Sequence, residues 1–289
     1  MAIVQLIING IALGALYALV TLGFVFVINA TGAVNFAQGE LVMAGGYAAA
    51  ALQPVVPAGP LILVAVAVIM FFVGLALALV AYFPLMRRPP ATVFISTLLC
   101  GIFLQSLFVV VFGPEARAGP PLFSSSLVRL GPIEISQQSA GIVLVAAILI
   151  LLQFVVFSRT QIGRKLRATT QDREMARAIG IPALRMIAIT FGIGASLAGV
   201  AGALLANQYF VSPTGGITLT VFAYMAVVIG GWGNIPGAVV GAMLIALFQV
   251  VVASFVSYTA ATILLYLVVL GVFIVRPQGL FGEHVRRRA

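Results

Sequence analysis

The sequence predicts an all-α polytopic membrane protein, built as a single transmembrane domain over residues 1–289. The chain is 63% hydrophobic and only 7% charged, whereas a soluble domain carries about 25% charged residues because its surface must face water. The apolar residues form continuous runs of membrane length rather than the alternating pattern of a barrel strand. The basic residues lie between those runs, so the net charge of +9 indicates membrane topology and not a nucleic-acid partner.

Nine apolar segments approach the roughly 20 residues of helix that the hydrocarbon core requires. Glycine and polar residues interrupt the second and the seventh, so a hydropathy count gives eight or nine transmembrane helices, two of them broken. The first segment lacks the positive flank of a secretory signal, and we expect it to be retained. The predicted spans are 3–28, 33–52, 61–84, 92–112, 139–157, 186–208, 217–232, 237–256 and 259–275.

The distribution of basic residues predicts the orientation. All of them except Arg117 and Arg129 fall on one side of the membrane when the spans alternate. Because cytoplasmic loops are enriched in Lys and Arg, we expect an external (periplasmic) amino terminus, a cytoplasmic carboxyl terminus and an odd number of crossings.

Each half of the chain contains a long helix rich in Gly and Ala, followed by a broken one. The pairs are 3–28 with 29–52, and 186–208 with 212–236. The two long helices cross the membrane in opposite directions in this topology. The pattern predicts an inverted repeat, with a substrate path at the repeat interface.

The first broken segment places three polar side chains at membrane depth. Asn35 is positioned to cap a helix start with Gln38 as its reciprocal partner, and Glu40 lies in the early turns, where the helix dipole tolerates an anion. A carboxylate at this depth is by default a functional hypothesis. Three roles stay open for Glu40: fixing the packing, lining or gating the path, or relaying protons, although the spans offer no second Asp, Glu, His or Lys for a relay.

The second broken segment combines an aromatic residue with a glycine-rich run, GGWGNIPG at 230–237. Its glycines suit close helix packing in lipid. The alternative is a turn on the pore side whose free backbone groups face substrate or water. The candidate path residues here are Tyr224, Gly230, Gly231 and Asn234.

The loop at 158–185 holds nine of the 21 charged side chains of the chain. Thr169 to Asp172 matches a capping box, which predicts a short helix over 171–179 that Gly180 and Pro182 end. A helix of two turns is unstable alone, so we expect it to be ordered in a groove of another protein. The alternative is a loop that binds anionic lipid headgroups. One face of this helix is apolar and consists of Met175, Ala178 and Ile179.

Several function classes are excluded by missing residues. The sequence has no P-loop motif, one lysine, Lys165, and one histidine, His284. The single cysteine, Cys100, lies in an apolar span, so neither an intrachain disulfide nor a metal cluster is expected. We therefore expect a protein that is not an enzyme and binds no cofactor of its own.

Four stretches of the sequence together resemble the LivH-type permease subunits of branched-chain amino acid ABC importers. The resemblance covers nearly the whole chain and is specific in each stretch. The stretches are INGIALGALYALVTLGFVFVINATGAVNFAQGELVMAGGY, GRKLRATTQDREMARAIGI with the following ITFGIGASLAGVAGAL, VVIGGWGNIPGAVVGAMLI, and the terminal RPQGLFG.

The resemblance implies the fold of an ABC importer permease in the bacterial inner membrane. It also implies a second, related but non-identical permease, two cytoplasmic subunits that bind ATP and Mg, and a periplasmic amino-acid-binding protein. Relatives that import urea or short amides share much of the pattern, while the apolar path suits a branched aliphatic amino acid. A stand-alone channel or secondary transporter and a structural scaffold are the competing classes. The family's ATPase-coupling element maps onto Gln171, Asp172, Glu174, Met175, Ala178, Ile179 and Gly180.

Overall fold

The computed structural model describes residues 2–56, 59–123, 127–130 and 133–282. Within these ranges the chain folds into helices and one short hairpin, which confirms the all-α polytopic class. The end of the chain, with His284, lies outside the described residues. The helices are α1 (Ala2–Thr31), α2 (Gln38–Leu52), α3 (Leu61–Leu77), α4 (Pro90–Phe112), α5 (Gln137–Arg159), α6 (Gln161–Gln171), α7 (Arg173–Ala178), α8 (Ala183–Gln208), α9 (Gly216–Gly230), α10 (Ile235–Phe255) and α11 (Tyr258–Val275).

Seven of the described helices are long and apolar enough to cross a membrane. The other two predicted spans are α2 and α9, which have 15 residues each. At 1.5 Å per residue they measure about 22 Å, less than the roughly 30 Å of a hydrocarbon core. The second and seventh segments are therefore too short to cross the core, as their interruptions predicted. We call α2 and α9 the half-span helices. The predicted start of the second span at residue 33 is wrong, because Gly32 ends α1 with φ +69° and helix resumes only at Gln38.

Small residues hold the centre of the bundle together. Gly23 of α1 and Gly194 of α8 face each other so closely that a Cβ on Gly194 would lie 2.9 Å from the Gly23 carbonyl oxygen. Helices in lipid associate through such close contacts, because no hydrophobic effect drives them together. As a result α1 and α8 are buried on most sides, while α4, α5 and α11 face outward with exposed apolar side chains.

The end of α3 departs from α-helical geometry. A π-helical turn at Ala78–Tyr82 and a 3-10 turn at Phe83–Leu85 extend it toward α4. The Tyr82 ring lies 5.6 Å from the ring of Phe191 in α8. Isolated π-turns inside helices are frequent at functional positions, and this one links two long helices at their shared end.

An antiparallel hairpin of β1 (Leu127–Leu130) and β2 (Ile133–Ser136) lies between α4 and α5. The preceding loop is fixed by a bridge between Arg117 and Val211 and by a bond from Asn207 Nδ2 to the Pro120 carbonyl oxygen, 2.6 Å long. We call this end of the bundle the hairpin side, and the end that carries α6 and α7 the basic side.

Candidate functional site

The two half-span helices begin beside each other inside the bundle. Gly39, in the first turn of α2, packs against the carbonyl of Gly216, the first residue of α9. Its N–H donates to Thr220 Oγ1 at 2.9 Å. From this junction α2 runs to the hairpin side, where Gly46 meets Val211, and α9 runs to the basic side. Two antiparallel half-helices with adjoining amino ends are the arrangement that an inverted repeat produces.

Glycine at position 216 makes room for the Glu40 side chain at this junction. A Cβ on Gly216 would lie 2.5 Å from Cδ, Oε1 and Oε2 of Glu40. A Cβ on Gly101, halfway along α4, would lie 3.4 Å from Glu40 Cγ, which is an ordinary van der Waals distance. The Glu40 carboxyl group therefore occupies the space that a side chain at Gly216 would fill, and α4 lies against it at Gly101.

Glu40 is only 5% exposed. Its Oε2 atom has no hydrogen-bond partner among the described residues. The amino end of α9, against which the carboxyl group packs, has no side-chain cap, so first-turn N–H groups remain as donors there. The junction thus brings an unsatisfied acid oxygen next to the positive end of a helix dipole.

Asn35 and Gln38 lie together at the start of α2, but the predicted cap is wrong, because the N-cap residue is Ala37 and it makes no side-chain cap hydrogen bond. Asn35 Oδ1 accepts from the Ala37 N–H at 3.2 Å, and Asn35 Nδ2 donates to Gln38 Oε1 at 3.3 Å. Gln38 Nε2 donates in turn to the carbonyl oxygens of Val20 (3.5 Å) and Gly194 (3.2 Å). The reciprocal contact runs between the two side chains rather than to a backbone N–H, and it ties α2 to α1 and α8.

A cluster of aromatic rings lies between the Glu40 junction and the basic side. The rings of Phe36 and Phe94 are 4.5 Å apart and nearly perpendicular, an arrangement that favours the ring quadrupoles. Tyr224 joins them at 6.2 Å from Phe36. Of these rings the sequence singled out only Tyr224. Phe36 lies inside the broken segment that carries Asn35 and Glu40, and this position is a signal that could have identified it. We call this set the aromatic cluster; it consists of Phe24, Phe36, Phe94, Tyr224 and Trp232.

The other candidates of the second broken segment lie at the far end of α9. Gly230 packs backbone to backbone against Gly237, and Gly231 adopts φ +108°. Asn234 caps α10 by accepting from the Gly237 N–H at 2.7 Å and donates to the Phe281 carbonyl oxygen at 3.1 Å. Their contacts here are packing and capping contacts, about 20 Å from the Glu40 junction by helix length. A role in the path stays a prediction for these three residues.

The predicted helix at 171–179 corresponds to the shorter α7, and its first residue belongs to the preceding helix, α6. Gln171 is the last residue of α6, and Asp172 is the N-cap of α7, accepting from the N–H groups of Glu174 and Met175 at 2.9 Å each. The predicted capping box is wrong, because Thr169 is buried within α6 and its hydroxyl donates to the Lys165 carbonyl oxygen. A short acid side chain one residue before the helix competes better for these N–H groups than a threonine four residues before it.

The apolar ridge on α7 is exposed. Met175 is 60% and Ile179 67% exposed, and Ala178 lies with them, whereas Ala176 and part of Arg173 face the bundle. Gly180 then turns the chain with φ +82°. The structure thus brings the coupling candidates together on one surface, separate from the Glu40 junction.

Comparison with known proteins places the chain among transport permeases. Residues 6–275 match the family model described as "Branched-chain amino acid transport system / permease component". The chain is 32% identical over 295 residues to the high-affinity branched-chain amino acid transport system permease protein LivH of Escherichia coli, covering 96% of this chain and 95% of LivH. Pseudomonas aeruginosa BraD, of the same description, is 31% identical over 294 residues with the same coverage.

A shorter similarity extends to a second permease. The chain is 29% identical over 180 residues to the branched-chain amino acid permease protein LivM of Escherichia coli, covering 61% of this chain and 42% of LivM. No solved structure matches the chain.

Proposed function

The chain belongs to the family of branched-chain amino acid transport system permease components, and from this premise we propose that it is the permease subunit of an ATP-driven importer of branched-chain amino acids. The observation that carries the proposal is the family match over residues 6–275, on a chain with seven membrane-spanning helices in its described part. In this role the chain forms the translocation path and catalyses no reaction. ATP and Mg bind to partner subunits.

One of the two ATP-binding subunits docks on the basic side of this chain, at α7, and the other docks on the second permease. The exposed pair Met175 and Ile179 supplies an apolar ridge, and Asp172 and Glu174 frame it with charge. A short helix with such a ridge, seated in a groove of the motor subunit, transmits displacement to the bundle. The basic side is then cytoplasmic, which agrees with the bias of Lys and Arg in the sequence.

A second, related permease completes the path, and a periplasmic binding protein delivers the amino acid on the hairpin side. Escherichia coli has two relatives of this chain, LivH and LivM, which are both branched-chain amino acid permease proteins. A pair of such chains, each with two half-span helices, encloses a path between them. ATP binding and hydrolysis then expose that path alternately to the two sides.

The test is uptake by purified components in vesicles. Proteoliposomes that contain this chain, the second permease and the ATP-binding subunits are given labelled leucine, binding protein and internal ATP. We expect uptake that requires all components, and none when the ATP-binding subunits are omitted. Uphill leucine transport by this chain alone would contradict the proposal and favour a secondary transporter.

Competing solutes decide the substrate class. Unlabelled leucine, alanine and urea are added in excess to the same vesicles. Strong competition by leucine, weaker competition by alanine and none by urea supports a branched aliphatic substrate. Uptake of labelled urea by vesicles that take up no labelled leucine would assign the chain to permeases for short amides.

A further inference from the structure

Resting on the proposed function, we infer that the Glu40 junction is the point in the path that recognises the charged end of the amino acid: the Glu40 carboxylate binds the α-ammonium group, and the free N–H groups at the amino end of α9 bind the α-carboxylate. The sequence names Glu40 only as a residue that lines or gates the path. The geometry of the junction indicates which group of the substrate the Glu40 side chain binds.

The first support is the unsatisfied hydrogen-bonding capacity. Glu40 is buried to 95% and Oε2 has no partner among the described residues. A buried acid oxygen without a donor carries a desolvation cost. The nearby Thr220 hydroxyl does not satisfy this oxygen, because it bonds to Gly39 and Gly216 instead.

The second support is the uncapped end of α9 beside that oxygen. Half-helix amino ends at membrane depth bind anionic groups of substrates in transporters, because their N–H groups and dipole point at the ligand. An α-amino acid carries an anion and a cation separated by a single carbon atom. The junction offers the complementary pair at one place, with Gly216 common to both halves.

The third support is the balance of charge inside the membrane. Glu40 is the only Asp or Glu in the predicted spans. A zwitterion crosses hydrocarbon at high cost unless both of its charges are paired. A carboxylate pairs with the ammonium group, and an isolated helix end with the carboxylate, so that neither half needs a further ion.

In the conformation described, the aromatic cluster lies on the basic side of the junction, and α4 covers the junction at Gly101. Substrate access therefore requires the first turn of α9 to separate from α2. The Thr220 bond and the packing of Gly39 on Gly216 are among the contacts that hold the two together.

The experiment compares two substitutions of the same residue in the reconstituted complex. Glu40→Gln keeps the size of the side chain and removes its charge, whereas Glu40→Asp keeps the charge and shortens the side chain. We expect Glu40→Gln to lower ATP-driven leucine uptake by about ten- to hundredfold, the range for loss of a charged hydrogen bond, and Glu40→Asp to retain more uptake than Glu40→Gln. For Glu40→Gln, complex assembly and ATP hydrolysis without substrate should stay within about twofold of the unmodified complex, and Tm should not change, because Gln and Glu fill the same space.

Thr190→Val is the control, since it removes a buried hydroxyl of α8 that bonds to the Met186 carbonyl oxygen of the same helix, and it leaves the junction and its charge untouched. It should retain at least half of the uptake. If Glu40→Gln transports leucine as well as the unmodified complex, or better than Glu40→Asp, then Glu40 acts by packing and the inference is wrong. If assembly or Tm of Glu40→Gln falls as much as uptake does, Glu40 likewise acts by packing and the inference is wrong. Leucine uptake by the unmodified complex tests the proposed function separately.

Discussion

The guanidinium carbon of Arg173, in the first turn of α7, lies 5.9 Å from the centre of the Tyr82 ring. Tyr82 closes the π-helical turn at the end of α3 and contacts Phe191 of α8 on its other side. Arg173 Nε and Nη2 are buried without hydrogen-bond partners among the described residues. The ring therefore links α7 to the π-helical turn that extends α3, and through Phe191 to α8.

Replacing Tyr82 by Leu should uncouple transport from ATP hydrolysis. A cation–π contact is worth about 0.5 to 2 kcal/mol, so uptake per ATP hydrolysed should fall by about two- to thirtyfold at 1.4 kcal/mol per factor of ten. Tyr82→Phe keeps the ring and should transport normally. Parallel losses of hydrolysis and uptake in Tyr82→Leu would show that the ring only stabilises the fold.

Met175→Asp should prevent the ATP-binding subunits from co-purifying with the permease. The side chain is exposed, so an acid there leaves the isolated permease intact but places a charge in the apolar contact that docking requires. Met175→Leu conserves the volume and apolar character and should bind normally. Undiminished co-purification of Met175→Asp would move the docking surface away from α7.

Asp172→Ala should loosen α7 while leaving the bundle unchanged. Loss of an N-cap acid costs about 1 kcal/mol, which corresponds to about fivefold faster hydrogen exchange at the Glu174 and Met175 amides. Asp172→Asn retains the acceptor oxygen and should protect both amides nearly as well as Asp. Exchange rates that do not change in Asp172→Ala would mean that α7 is held by its buried face alone.

Two Gly→Ala substitutions should have opposite effects on Tm in detergent. Gly39→Ala forces a Cβ into the Gly216 backbone, and overpacking of this kind costs about 1 to 3 kcal/mol. Gly271→Ala places its Cβ in α11, where nothing lies within 4 Å, and the better helix propensity of Ala gains up to about 1 kcal/mol. Equal Tm values for the two variants would argue against close contact of α2 and α9.

Phe36→Ala should make the reconstituted complex leak. Removing this ring opens the aromatic cluster between the Glu40 junction and the basic side, so labelled leucine should leave loaded vesicles without ATP. Phe103→Ala, which removes an equally large ring from the outward face of α4, is the control and should hold leucine as the unmodified complex does. A tight Phe36→Ala complex would place the closure elsewhere.

The sequence predicts the spans well, because hydropathy is a local property and lipid leaves few alternatives to helix. All nine predicted segments correspond to helices, including the two that were expected to be broken. The start of α2 differs, because the bends and turn at 32–37 are not helical, although most of this stretch packs inside the protein and is as apolar in sequence as a helix. The cap at Asp172 differs because two overlapping patterns, T-x-x-D and D-x-x-M, compete for the same turn, and only geometry selects between them.

The candidate site was predictable only in part. Asn35, Gln38 and Glu40 are conspicuous as polar residues in an apolar chain. Their neighbours across the junction, Gly216 and Thr220, are ordinary residues of a transmembrane segment. No local sequence feature marks which glycine will face the carboxylate. That pairing depends on how α2 packs against α9, and the bond between Gly39 and Thr220 joins residues that are 181 positions apart.

The C-terminal segment determines how α9 is able to move. The N–H groups of Leu280 and Phe281 donate to the carbonyl oxygens of Ile229 (2.7 Å) and Gly230 (3.1 Å). The end of α9 on the basic side is therefore anchored, while its other end, at Gly216, has no side-chain cap. A tilt of α9 about Gly230 is therefore the movement that these bonds favour. For a lever of about 22 Å, a rotation of about 10° shifts the tip by about 4 Å, roughly the width of a methyl group, so a slight tilt at the fixed end is enough to lift Gly216 off the acid beneath it.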